Sequence, residues 1–182
     1  MEHPRVLPQL EKLTLDTKGM FYRSPEPCAI FNNARRLVLK GAPDPTHGVV
    51  DYFSLVKTSP LLNTLIVQLY GPFGCCLPRE MSFRPDDIEK MLEDKVGETR
   101  HKNLEVMRFE GFWGFKGENE LALCLARYAT SLRHLKISIR LLTDRGQDLR
   151  RHYSEIKVKS LTLRHFEWFK AALPSKVQLE VF

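Results

Sequence analysis

A chain of 182 residues, 43% hydrophobic and 27% charged, is long enough for one domain with a substantial core and too apolar to be a disordered tail. Its net charge of +6 favours approach to acidic partners, yet it also lies within the range that simply keeps a domain dissolved. No run of about 18 apolar residues offers a membrane span.

The remaining bounds are compartment and ligand class. No apolar signal core follows Met1, so secretion is not expected. Cys28, Cys75, Cys76 and Cys124 lack the spacing of a metal site, and no histidine pair complements them. The expectation is reduced thiols in the cytoplasm or nucleus, with no metal and no cofactor. No recognised nucleic-acid motif accompanies the charge, which ranks nucleic acid well behind protein as a partner.

In chain order, the first element is apolar at Leu10, Leu13 and Leu15, the spacing L-x-x-L-x-L, and predicts a strand. A polar connection with Gly19, Pro25 and Pro27 follows, and then Ala34, Leu37 and Leu39 repeat the spacing. Pro43, Pro45 and Gly48 break the chain again. Residues 49–57 predict a short helix that ends near Ser59 and Pro60, because proline cannot continue a helix. Leu62, Leu65 and Val67 restart the strand pattern. Residues 71–100 read as an insertion, first a Gly/Pro loop around Cys75 and Cys76, then a helix from Pro85 with acids early and lysine late.

The stretch 101–137 states the unit most fully. Leu104, Met107 and Phe109 carry the strand spacing, and Leu132, Leu135 and Ile137 carry it again 28 residues later. Between them Leu121, Leu125 and Tyr128 recur at helical spacing, with Glu118 and Glu120 expected in the helix's first turn, where carboxylates meet the positive end of the helix dipole. A strand, a helix and the same strand again at this distance is a leucine-rich repeat. The second leucine of each unit falls at Leu13, Leu37, Leu65, Met107 and Leu135, at intervals of 24, 28, 42 and 28 residues. Three of these lie near the roughly 20–29-residue repeat period, and the insertion accounts for the fourth. Beyond Ile139 the pattern loosens into an arginine-rich helix over 141–153, an alternating stretch at 158–163, a helix over 164–173 and a closing strand at 177–182.

The expected fold is therefore an α/β leucine-rich-repeat solenoid, a short arc of parallel strands backed by helices and loops. It forms a single domain over 1–182, with regular repeats at about 7–140, the insertion at about 71–100 and a closing segment at about 141–182. The chain opens inside a repeat, so the end near Leu10 is expected to be an exposed apolar repeat face.

Residues 101–137 also resemble the last repeats of plant F-box/leucine-rich-repeat proteins, most of all those of the FBD type. The likeness rests on His101-x-x-Leu104, on Gly111, Phe112 and Gly114, on Glu120-Leu121-Ala122, and on Ala129-x-x-Leu132; Tyr128 stands where that family typically has Asn. The tail 173–182 is similar as well, and the likeness covers about 35 residues closely. The resemblance implies a substrate-binding repeat region of a ubiquitin ligase subunit, in which an F-box docks on the ligase adaptor. No F-box-like segment is readable before residue 10, so adaptor binding would require one upstream. The alternative is a stand-alone or truncated repeat scaffold with no ligase role.

No nucleophile elbow, zinc-protease helix, P-loop or dinucleotide glycine pattern occurs, so no catalytic residue is nominated and the chain is read as a non-enzyme. His101 reads as a side chain bonding local backbone at a strand entrance. Phe109, Phe112, Trp113 and Phe115 read as core filling around a turn that Gly111, Gly114 and Gly117 allow to bend. The candidate partner surface is the concave face. Because side chains alternate along a strand, it presents Lys12 and Thr14, Arg36 and Val38, Thr64 and Ile66, Val106 and Arg108, and His134 and Lys136. Cations surround an aliphatic middle of Val38, Ile66 and Val106, as suits an interface with a protein target, an acidic one included; the same positions also read simply as solvated strand residues.

Overall fold

The computed structural model describes residues 10–16, 31–41, 55–69, 100–112, 116–138, 167 and 169–182. They form one sheet of six parallel strands in sequential order: β1 (Lys12–Asp16), β2 (Arg36–Gly41), β3 (Thr64–Leu69), β4 (Val106–Glu110), β5 (His134–Ser138) and β6 (Gln178–Val181). A single long helix among the described residues, α1 (Lys116–Tyr128), joins β4 to β5. Sequential parallel order needs a crossover between each pair of neighbours, and α1 is one of them.

Register follows the leucines. Leu13, Leu37, Leu65, Met107, Leu135 and Leu179 stand side by side in one row across the sheet. Leu15, Leu39, Val67, Phe109, Ile137 and Val181 form the next. The five second-position residues expected to align do so, and Leu179 extends the row by one strand. From β2 to β5 both rows are completely buried. A slip of one residue would turn each strand's leucines to the other face, so burial of these rows fixes the pairing. In β1, Leu13 and Leu15 are half-buried and pack against the same core from its rim.

The strand entrances repeat as closely as the strands. The carbonyl of Glu11 accepts the amides of Arg35 and Arg36; that of Arg35 accepts Asn63 and Thr64; that of Asn63 accepts Glu105 and Val106; that of Glu105 accepts Arg133 and His134. Each carbonyl thus binds two amides of the following unit, which satisfies backbone that would otherwise be orphaned where the strand begins. One residue earlier a tight turn tucks Ala34, Leu62 and Leu132 fully inside, through bonds from their amides to the carbonyls of Phe31, Ser59 and Ala129. The last unit departs: the Val177 amide turns back to Pro174, and the Arg133 carbonyl keeps only the Gln178 amide.

Helix α1 is buried beyond the single stripe its spacing implies. Leu121, Leu125 and Tyr128 face the core as expected, but Ala122, Leu123, Cys124 and Ala126 are also buried. Glu118 lies in the first turn, where its charge faces the helix's positive end; Glu120 falls just beyond that turn. Aromatic packing closes the strand-to-helix corner. Phe109 and Phe112 meet edge to face at 5.8 Å, and Phe112 meets Phe169 at 6.1 Å. All three are buried, so the core reading holds for Phe109 and Phe112. Gly111 turns there with φ of 77°, a conformation that favours glycine, and its amide and that of Phe112 both reach the Ser138 carbonyl.

Residues 55–57 and 169–172 are helical, in line with the sequence reading of those ends. The insertion over 71–99, the 141–153 helix, the 158–163 strand, Trp113, Phe115, Cys28, Cys75 and Cys76 lie outside the described residues. Cys124 is a free, buried thiol.

Candidate partner-recognition face

Opposite the leucine rows, the sheet carries three rows of alternating positions. The first runs Lys12, Arg36, Thr64, Val106, His134 and Gln178; the second runs Thr14, Val38, Ile66, Arg108, Lys136 and Glu180. All ten candidate residues therefore lie on one face, in two contiguous rows. The third runs Asp16, Lys40, Gln68, Glu110 and Ser138.

Two of the three aliphatic candidates are not open to contact. Val38 and Ile66 are each only 7% exposed, although neither belongs to the core cluster behind the sheet. Strand alternation tells which face a side chain takes, but its neighbours on that face decide its exposure. Val106 and Thr64 are half-buried, while Lys12, Thr14 and Arg36 are exposed.

The cations divide into two groups. On the β4–β6 side each meets a carboxylate of the same face. Arg108 Nε lies 2.8 Å from Glu110 Oε1, a contact of charges in which the N–H is not aimed at the oxygen. The second Glu110 oxygen accepts Gln68 Nε2 at 2.8 Å. The Phe182 ring sits 5.5 Å from the Arg108 guanidinium carbon, a cation–π arrangement. Lys136 Nζ donates to Glu180 Oε2 at 2.9 Å, and His134 Nδ1 stands 3.9 Å from Glu180 Oε1, beyond hydrogen-bond reach. The bond from Lys136 holds the Glu180 carboxyl below its ordinary range, with the charges of Lys136 and His134 adding to it. On the β1–β2 side Lys12 and Arg36 make no ion pair among the described residues.

Glu110 and Glu180 are the residues of this face that the sequence reading missed. The signal was present. Continuing the alternation of Val106 and Arg108 by one more step reaches Glu110, and applying it to the closing strand gives Gln178 and Glu180.

His101 stands apart from this face. It is buried, its Nδ1 accepts the Leu104 amide at 3.1 Å, and its Nε2 lies 2.9 Å from the Ser59 carbonyl. The amide can only donate and the carbonyl only accept, so the ring is neutral with its proton on Nε2. In the neighbouring units a backbone carbonyl closes this turn; here the imidazole does so, and it ties β4's entrance to the unit before. Burial pushes its pKa below the ordinary histidine value, and the bond to Ser59 opposes that only in part. This is the structural role expected of it.

An open cleft of about 600 Å³ lies at the entrances of β5 and β6, where the last unit breaks the turn pattern. Glu105, Ser131, Arg133, Lys176 and Gln178 line it. Among the described residues no cluster of histidine, cysteine or carboxylates could hold a metal ion, and no helix is long and apolar enough to cross a membrane. Comparison with family models, with curated proteins and with solved structures gives no match.

Proposed function

We propose that this chain is a leucine-rich-repeat solenoid that recognises a protein partner through its outer, concave face. By its resemblance, it would be the target-holding part of a plant F-box-type ubiquitin ligase subunit. One observation carries the reading. Six strands keep apolar rows in matching register on one face while the opposite face changes chemistry from strand to strand. That division suits a scaffold whose binding surface varies on an unchanged frame. No cofactor or reaction enters this reading, and the partner is a protein.

The test is capture from plant extract by the intact chain beside a triple variant, Lys12→Glu, Arg36→Glu and Lys136→Glu. Proteins bound by the first and lost by the second support the outer face. If the same proteins come down with both, that face is not the binding surface. A transcript joining an F-box segment to this sequence would supply the ligase link; a transcript without one leaves a repeat scaffold.

A further inference from the structure

We propose that an acidic, extended protein segment docks at the β1–β2 end of the outer face, on Lys12 and Arg36, rather than across the whole face. The inference rests on the reading of that face as a recognition surface. Lys12 and Arg36 are register partners on adjacent strands, both exposed. Like charges held side by side on a sheet repel. Elsewhere on this face the cations of the candidate set meet acids: Arg108 meets Glu110, and Lys136 and His134 meet Glu180. In the third row, Asp16 and Lys40 stand side by side with opposite charges. Counting these residues with histidine neutral, the β4–β6 end sums to zero and the β1–β2 end keeps two positive charges.

That corner also has the dimensions for such a ligand. Adjacent strands lie about 4.8 Å apart, and alternate residues of an extended peptide are separated by about 6.6–6.8 Å. Flexible lysine and arginine stems bridge the difference, so the two heads reach carboxylates at alternate positions of one segment. The exposed Thr14 hydroxyl is on the next row of β1, one further donor beside them. Arg36 offers a carboxylate two parallel N–H groups, and Lys12 offers a mobile point charge. Two uncompensated cations, counted among the described residues of this face, are few for nucleic acid, where binders of this kind neutralise on the order of 6–10 phosphates.

The experiment uses the full chain and a fluorescein-labelled peptide of three glutamates alternating with glycine, followed by anisotropy at low salt. The same peptide with glutamine in place of glutamate is the control. Lys12→Gln with Arg36→Gln should weaken binding roughly tenfold. Arg108→Gln with Lys136→Gln should change it less than about twofold, because those cations are already engaged. Equal losses in the two double variants would overturn the localisation and leave the recognition function standing. Binding no tighter than to the glutamine control, while extract capture persists, would overturn the acidic partner. A random single-stranded DNA oligonucleotide that binds tighter than the peptide, and is lost in the Lys12/Arg36 variant, would overturn the protein segment in favour of nucleic acid.

Discussion

The two faces of the sheet obey different rules. On the inner face each row is apolar throughout and fully buried from β2 to β5, whether the residue is Leu37, Leu65, Met107 or Leu135. On the outer face one row passes from Lys12 and Arg36 through Thr64 and Val106 to His134. The same backbone ladder supports both. The inner rows hold the strands in register, since only one register buries them, and the outer rows are left free to vary in chemistry. Val38 and Ile66 cross the division, being outward in direction and inward in exposure. Position in the alternation and contribution to stability are therefore separate properties.

The largest expected effect comes from an inner row. Leu65→Ala should destabilise the fold by about 2–5 kcal/mol, read as the change in unfolding free energy in urea. Its outer neighbour Thr64→Ala should change it by no more than about 0.5 kcal/mol. Equal costs would erase the distinction between the faces. Ile66→Ala sharpens it from the other side. Its burial predicts a loss of about 1.5–3 kcal/mol despite its outward direction. A binding defect in any Ile66 variant must therefore be read beside its melting curve.

The His101 turn predicts a dependence on pH. The unfolded chain takes up the imidazole proton near 6.5, whereas the folded chain resists it to lower pH. Below about 6.5 the unfolded state therefore holds more protons, and stability falls with pH until the folded ring also titrates. His101→Gln, whose amide can still donate to the Ser59 carbonyl, should flatten that limb of a denaturation series. A wild-type series unchanged between pH 7 and 5 would show that the ring is not held neutral by its burial. The smallest effect belongs to Glu180→Gln. The group is exposed, so its stability effect should fall within experimental error. The same change should free Lys136 and strengthen binding of the glutamate peptide at the β5–β6 end, measurable as a second, weaker site.

Much of this was legible in the residue order. The L-x-x-L-x-L spacing placed five strands and their mutual register, because alternation along a strand and a common buried row allow little else. The alternating tail at 177–182 was expected to cover the last edge, and β6 pairs with β5 there. His101 was expected to bond local backbone, and it does so at Leu104. The cationic face was legible as a set of positions, all ten of which share one side of the sheet. The acids beside its cations were not read, because only two outward positions per strand were taken and the closing strand was left out; Glu110 occupies a third position and Glu180 lies on β6.

The sequence by itself determined which residues point inward, since that depends only on local period and on water's exclusion from apolar side chains. Tertiary structure alone decided what depends on residues far apart in the chain. It set His101 against the Ser59 carbonyl, 42 residues earlier, and Lys136 against Glu180, 44 residues later. It covered Val38 and Ile66 on a face where alternation implied openness. Such pairings are set by which strands become neighbours and by what packs beside them, and no local period encodes either.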